Sequence, residues 1–424
     1  MELGTPRGFR DFSPEVTIER MRIARVIEEV FKRFGFYPIE TPAVEKVEVL
    51  SAKAYGEDAV KELFKIEGED FALRYDLTIP LARFVAGNTS MPMPFRRYHI
   101  SRSWRKEEPQ RMRYREFVQA DIDIVGSDAI ESESEILAAE SIALGELGIN
   151  DYELTINSRV ILNGILTFFN IPEDKHIGVI RTIDKMHKIG IDELINRISA
   201  LGVEGNTSRK LVEFITQEQD NEKKIETLIA NIPSIKGEVE KIRKLMTLLE
   251  TYALGSKIVL DLSLARGIDY YTGMVWEFIP FENGKRLPSL GGGGRYDKLI
   301  GIFAKKEVPA VGSTLGIDRV MDVVKSDFAT KSYAKLYIAT IGDDTYDYAL
   351  GFANASRSAG IYSDLNITTR SISKQLDYAN ALGIRYVAII GEQEKTLNKI
   401  KLRDMLSGNE ELLSAQECIE QIKG

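Results

Sequence analysis

At 424 residues the chain is long enough for two or three domains, each with its own core. Its 56 Lys+Arg against 64 Asp+Glu leave a formal charge of −8, which excludes a global positive field and confines any nucleic-acid contact to local basic patches. One cysteine, Cys418, and three histidines, His99, His176 and His187, rule out a disulfide framework, argue against a zinc site and suit a reducing cytoplasm.

The N-terminal "MELGTPRGFRDFSPE" has no apolar leader core, and no run is long enough to span a bilayer, so a cytoplasmic protein without membrane contact is expected. From Thr17 to Phe34 apolar residues recur at helical spacing, with Gly35 as a cap. "FYPIETPAVE" follows, and its Pro38 and Pro42 fit an edge strand or extended arm. "PFRRYHISRSWR" and "FVQADIDIV" alternate with period two and predict antiparallel strands joined by the polar loop "KEEPQRMRYRE". Val118, Ala120, Ile122 and Ile124 then share one face, and Gln119, Asp121 and Asp123 the other. Residues 159–252 carry Lys- and Glu-rich helical patterns and predict a helical insertion. Strand signals return in "KIVLDLSL" and "MVWEFIPF". After residue 327, strand-like "KLYIATIG" and "RYVAIIG" alternate with helical segments, which predicts a small α/β domain.

Four stretches carry chemistry. In the loop from Arg96 to Arg115, eight basic side chains outweigh Glu107 and Glu108. A solvated charged loop would explain the charge, but a polyphosphate site would also explain why Gln119 and Asp123 share the exposed face of the next strand. "RGIDYYTG" places Arg266, Asp269, Tyr270 and Tyr271 together between two glycines. A tight turn accounts for the glycines, but not for a charge and two phenols in one place. "SLGGGGRYDKL" alone reads as a flexible glycine turn, although four glycines also permit close approach to a flat ligand. "AVGSTLGIDRV" sets Gly312 and Gly316 before Arg319 in a helical context, where small residues serve packing and the arginine does not.

Together and in this order, these stretches resemble the histidyl-tRNA synthetases, a family of class II aminoacyl-tRNA synthetases. "GFYPIETPAVE" looks like motif 1, "SWRKEEPQRMRYREFVQADIDIVG" is similar to motif 2, and "AVGSTLGIDRV" to motif 3. "ARGIDYYTG" and "SLGGGGRYD" look like the two histidine-specific signatures. The resemblance implies an α+β fold: a class II antiparallel sheet flanked by helices, a helical insertion, and a C-terminal α/β anticodon-binding domain. The boundaries are then 1–158 and 253–327 for the catalytic core, 159–252 for the insertion and 328–424 for the last domain.

The resemblance further implies ATP-dependent activation of L-histidine and its transfer to the 3′-terminal adenosine of tRNA(His) by a cytoplasmic homodimer, with Mg2+ bound through ATP and no protein metal site. Arg105, Gln119 and Arg266 would be catalytic. Arg105, Glu107, Arg113, Phe117 and Arg319 would hold ATP, with Phe117 on the adenine. Asp76, Thr78, Gln119, Asp123, Arg266, Tyr270, Tyr271, Gly292 and Gly294 would hold histidine, Asp123 and Tyr271 reading the imidazole. Many family members carry glutamate where this chain has Asp76 and Asp123. The last domain is not basic, with 11 Lys+Arg against 12 Asp+Glu from Lys331 onward. The rival reading is a non-catalytic histidine sensor similar to the regulatory subunit of ATP phosphoribosyltransferase. Such subunits usually lack the last domain and the ATP-gripping arginines, both of which are present here. A class II synthetase for another amino acid is opposed by "RGIDYYTG" with Asp123.

Overall fold

The computed structural model describes residues 3–51, 61–266, 270–304, 306–324 and 331–423. Gly267, Ile268 and Asp269 of the tyrosine signature lie outside the described residues, as does the side chain of His187. The chain forms two compact units, Met1–Asp11 with Arg22–Lys325, and Phe12–Met21 with Ser326–Gly424.

The larger unit is built on one sheet. Helix α1 (Pro14–Arg33) carries Ile23, Ile27, Val30 and Phe31 on one stripe, and all four are fully buried. It ends because Gly35 takes a positive φ and Phe36 N–H reaches back to the Phe31 carbonyl, a Schellman-type stop. The strands are β1 (Tyr37–Pro38), β2 (Phe95–Trp104), β3 (Glu116–Val125), β4 (Tyr152–Ser158), β5 (Ile258–Leu260), β6 (Met274–Glu282), β7 (Gly291–Arg295) and β8 (Ala310–Gly316). Their order is β1-β2-β3-β8-β7-β6-β4-β5. β1 runs parallel to β2 at one edge and β5 parallel to β4 at the other, and every pairing between them is antiparallel. Pro38 thus sits at an edge, where its missing N–H costs no ladder bond.

One face of the sheet packs on α1 and α3 (Glu131–Glu146) through Ala120, Ile122, Ile124, Trp276 and Phe278. The other face packs near α2 (Thr78–Gly87) and gathers Tyr270, Tyr271 and Tyr296 with Ile79, Leu81 and Val275. Between β4 and β5 lie helices α4 (Arg159–Phe168), α5 (Glu173–Ile183), α6 (Ile191–Ala200), α7 (Gly205–Ile215), α8 (Asn221–Asn231) and α9 (Lys236–Glu250). Their apolar faces are continuous with the α1 side of the core.

Sequence readings change at three places. The glycine run is strand β7 in the middle of the sheet, rather than a turn. Cβ atoms on Gly291 and Gly293 would lie 2.0 Å from the carbonyl oxygens of Thr314 and Gly312, so the absence of side chains lets β8 close on β7. The motif-3 stretch is strand as far as Gly316 and becomes helix α10 (Ile317–Val323) only beyond it. "IVLDLSL" yields a strand of three residues, because the Asp261 carboxylate accepts from Ser263 N–H and Oγ–H in an Asx turn.

In the smaller unit, β9 (Leu336–Thr340), β10 (Ser363–Leu365), β11 (Tyr386–Ile390), β12 (Ile400–Asp404) and β13 (Glu410–Leu413) are ordered β10-β9-β11-β12-β13, parallel at β10-β9-β11 and antiparallel beyond. Helices α11 (Tyr346–Ser358) and α13 (Ala415–Lys423) cover one face, where Cys418 is buried, and α12 (Ile372–Ala381) covers the other. Among the described residues no helix is long and apolar enough to cross a membrane.

Candidate active site

Strand register writes the floor of the site. Side chains alternate, so Gln119, Asp121 and Asp123 of β3 share a face with their β8 partners Gly316, Thr314 and Gly312. Next come Gly292 and Gly294 of β7, and then Glu277 of β6, opposite Gly292. Above this floor lies a cavity of about 300 Å³. Twelve of the fourteen expected site residues line it: Asp76, Thr78, Arg105, Glu107, Arg113, Phe117, Gln119, Arg266, Tyr270, Tyr271, Gly292 and Arg319. Asp123 and Gly294 do not. A Cβ on Gly294 would lie 2.7 Å from the Tyr271 ring, so that glycine makes room for the tyrosine from behind.

One end is cationic. Arg105 donates to the Tyr75 carbonyl and lies over the rings of Tyr75 and Phe117, at 4.2 and 5.0 Å. Arg319 is tethered by the carbonyls of Met112 (3.1 Å) and Ser289 (2.7 Å). Burial, together with repulsion from Arg113 and Arg105, pushes Arg319 down to about 10. Guanidinium groups crowded this closely gain from any polyanion placed among them. Arg113 lies 3.7 Å from Glu107, the nearby carboxylate on the same loop. Residues Arg7 to Arg10 brace that loop: Arg7 pairs with Glu108, Arg115 N–H donates to the Gly8 carbonyl, and Arg10 stacks on Tyr114 while bonding Asp318.

Arg266 lies over the middle of the floor. Its backbone takes φ 43°, a conformation rare outside glycine that the Arg159 guanidinium helps hold by donating to the Arg266 carbonyl at 2.8 Å. Its Nη1 donates to the Trp276 carbonyl (3.0 Å), its Nε is 3.9 Å from Glu277, and its guanidinium is 5.7 Å from the Tyr271 ring centre. A Cβ on Gly292 would fall 2.3 Å from that Nη1, so only glycine leaves room for it.

The other end is acidic and aromatic. Asp76 accepts from the N–H groups of Thr78 and Ile79, both at 3.1 Å, which fixes it at the start of α2. Gln119 reaches Thr314 Oγ1 at 3.3 Å. Tyr270 packs against Tyr271 at 4.7 Å and edge-on to Tyr296 at 5.8 Å. His99, opposite Asp121 in β2, is held neutral: burial first, and then Arg97 and Arg74, lower it to about 3.

Sequence reasoning missed Asp121, Asp184, Glu277 and Tyr296 as cavity residues. Asp121 and Tyr296 lay inside motifs already singled out, and the period-two face placed Asp121 beside Gln119. Asp184, just after α5, carried no signal.

The chain matches the family model described as histidyl-tRNA synthetase over residues 8–320 and the one described as anticodon binding domain over 335–424. It is 37% identical to the histidine–tRNA ligase of Aeropyrum pernix, over 99% of this chain and 97% of that one. It is 38% identical to the ligase of Korarchaeum cryptofilum, over 94% and 93%. The crystal structure of histidyl-tRNA synthetase from Nostoc sp. PCC 7120 superposes with a TM-score of 0.85 at 28% identity, covering 100% of this chain and 99% of that one. A structure titled as an ATP phosphoribosyltransferase regulatory subunit/histidyl-tRNA synthetase from Bacillus halodurans C shares the fold at TM-score 0.77 and 21% identity, over 92% and 98%. Nearly full-length likeness to both ligases does not favour the sensor reading. The chain belongs to the histidyl-tRNA synthetase family, whose members are aminoacyl-tRNA ligases that use ATP.

Proposed function

We propose that this chain joins L-histidine to ATP at the cavity floor and passes the histidyl group to the 3′-terminal ribose of tRNA(His). The observation that carries the assignment is one cavity with Arg105, Arg113 and Arg319 at one end, Asp76, Thr78, Gln119 and Tyr271 at the other, and Arg266 between them. In the first step a carboxylate oxygen of histidine attacks the α-phosphorus and pyrophosphate leaves. The carboxylate is already ionised at neutral pH, so the step needs no base. It needs alignment and neutralisation of charge on the equatorial oxygens. Arg266 faces both reacting groups, Arg105 and Gln119 fix their approach, and Arg113, Glu107 and Arg319 hold the remainder of ATP with the adenine against Phe117. Asp76, Thr78 and Gln119 receive the ammonium. In the second step a ribose hydroxyl attacks the histidyl carbonyl and AMP leaves.

No cluster of three His, Cys, Asp or Glu side chains suited to a metal exists among the described residues. Glu107 and Glu277, which line the cavity, are hard oxygen donors that would hold a magnesium ion brought by the nucleotide, and such an ion would supply further neutralisation of the triphosphate. Dimerisation through the arm at residues 37–46, a cytoplasmic location, and tRNA contact by the C-terminal unit and the helices at 159–252 complete the proposal. With 11 Lys+Arg against 12 Asp+Glu from Lys331 onward, anticodon reading there rests on contacts to unstacked bases more than on charge.

The test is pyrophosphate–ATP exchange with each of the twenty amino acids. Exchange with histidine alone supports the reading, and its absence in folded protein that binds histidine returns the sensor alternative.

A further inference from the structure

Arg159 stands where strand β4 ends and the helices of 159–252 begin. It is the first residue of α4, and it is buried. Two of its groups point back to the catalytic core: the guanidinium donates to the Arg266 carbonyl at 2.8 Å, and the main-chain N–H donates to the Gly273 carbonyl at 2.9 Å. Arg266 and Gly273 are the first and last residues of "RGIDYYTG". One residue therefore holds both ends of the segment that carries Arg266, Tyr270 and Tyr271.

The residues just before it continue the brace. The Ile156 carbonyl accepts from Asp261 N–H at 3.0 Å, Asn157 Nδ2 donates to the Leu264 carbonyl at 2.9 Å, and Arg159 then reaches Arg266. Residues 261–266, which follow β5, are thus tied step by step to the end of β4 and the start of α4. Arg159 is itself held in place. Ser158 caps α4 by accepting from Val160 N–H at 3.2 Å, and its Oγ–H donates to Glu238 of α9 at 2.6 Å, so the first and last of these helices meet beside Arg159.

What the brace supports is the conformation of Arg266. At φ 43° a residue with a Cβ occupies a sparsely populated region that persists only where its surroundings over-determine it. The backbone also sets the direction in which the side chain leaves, and the guanidinium has one narrow berth, between the Trp276 carbonyl at 3.0 Å and Gly292. A charge-assisted donor on the Arg266 carbonyl opposes relaxation to a negative φ, which would swing the guanidinium off the floor.

We infer that Arg159 is a positioning residue for adenylation: it holds the backbone of Arg266 so that the guanidinium meets the reacting groups, and it makes the root of the helical insertion part of the active site. The role of Arg266 is that of the proposed function, on which this inference rests.

The experiment uses the full-length protein, with adenylate formation followed by rapid quench at saturating histidine and ATP, histidine affinity by calorimetry and folding by circular dichroism. Arg159→Met is expected to slow adenylate formation by about 10–10²-fold, because misplacing a group at the reacting centre costs rate. Histidine affinity is expected to stay within about fivefold, since the bond from the main-chain N–H to Gly273 survives a side-chain replacement. Arg159→Lys, which keeps a charged donor on a long stem, is expected to recover part of the rate. In an Arg266→Ala background Arg159→Met is expected to cause no further loss beyond about twofold, because its effect passes through the missing side chain. A purely structural role would slow both backgrounds by the same factor. That additivity overturns the inference, as does a folded Arg159→Met protein whose rate is within about twofold of wild type. If Arg159→Met does not fold, Arg159→Gln enters the same cycle with the same expected and refuting results. Absence of histidine-dependent pyrophosphate exchange by the wild-type protein would instead remove the parent reading, and this one with it.

Discussion

Replacing Arg266 by alanine tests the proposed chemistry most directly. The guanidinium carries five N–H donors, of which one is committed to the Trp276 carbonyl at 3.0 Å and the Nε lies 3.9 Å from Glu277. The group is 15% exposed and hemmed in by Gly292, so its orientation is set before substrate arrives. A preorganised donor aimed at developing charge is worth about 2.7–4 kcal/mol, or roughly 10²–10³ in rate. Burial places Arg266 toward the upper end of that range. Arg266→Ala is therefore expected to slow single-turnover adenylate formation by about 10²–10³, measured by rapid quench at saturating ATP and histidine, while calorimetric histidine affinity changes by less than about fivefold. Arg266→Lys should fall between, because a compact ammonium can satisfy the Trp276 carbonyl or the phosphate but does not fork onto both. An alanine variant whose adenylate rate stays within about threefold of wild type would refute the assignment. Equal loss of histidine affinity and rate would recast Arg266 as a binding residue.

Arg319→Ala should raise the ATP KM by at least tenfold, about 1.4 kcal/mol, and leave the histidine KM nearly unchanged; comparable rises in both would count against a nucleotide role. Gly292→Ala should reproduce the Arg266→Ala rate defect in a folded protein, because a Cβ 2.3 Å from both Nη1 of Arg266 and the Trp276 carbonyl evicts the side chain that can move. Normal turnover in that variant would show that Arg266 is not needed in its present place. Arg295→Met removes a buried two-point ion pair, with both nitrogen–oxygen distances to Glu133 at 2.7 Å, and leaves a carboxylate unpaired. Urea titration should show a loss of about 3–5 kcal/mol, largely restored by the further change Glu133→Leu.

The parts of the molecule that sequence made legible are those set by the chain's own periodicity. "FVQADIDIV" alternates strictly, so the strand and both of its faces follow from the residues alone, and α1 follows from Ile23, Ile27, Val30 and Phe31. The cationic character of the hairpin was legible from composition, with eight basic residues in twenty, but Arg96, Arg97 and Arg102 belong to strand β2 rather than to the loop, and Arg97 is fully buried. The glycine strand was not legible, because glycine has a weak intrinsic strand preference and β7 exists through its neighbours β6 and β8. Asp184 was not legible for a different reason, since a residue following a helix of the 159–252 segment gives no local sign of which cavity it faces.

The distinction between Asp121 and Asp123 marks where sequence reasoning stops. Alternation assigns both to one face and assigns them the same chemistry. What separates them belongs to other strands: Gly312 rather than Thr314 lies across from Asp123 on β8, and Arg97 rather than His99 lies across from it on β2. Glycine admits the carboxylate against the backbone, and arginine neutralises it there at 2.7 Å. Opposite Asp121 stand Thr314 and a neutral His99, so that carboxylate lines the cavity and is bonded by the Thr314 side chain instead. Alternation therefore fixes the strand and the face, while the partner strands decide how each carboxylate on that face is oriented and paired.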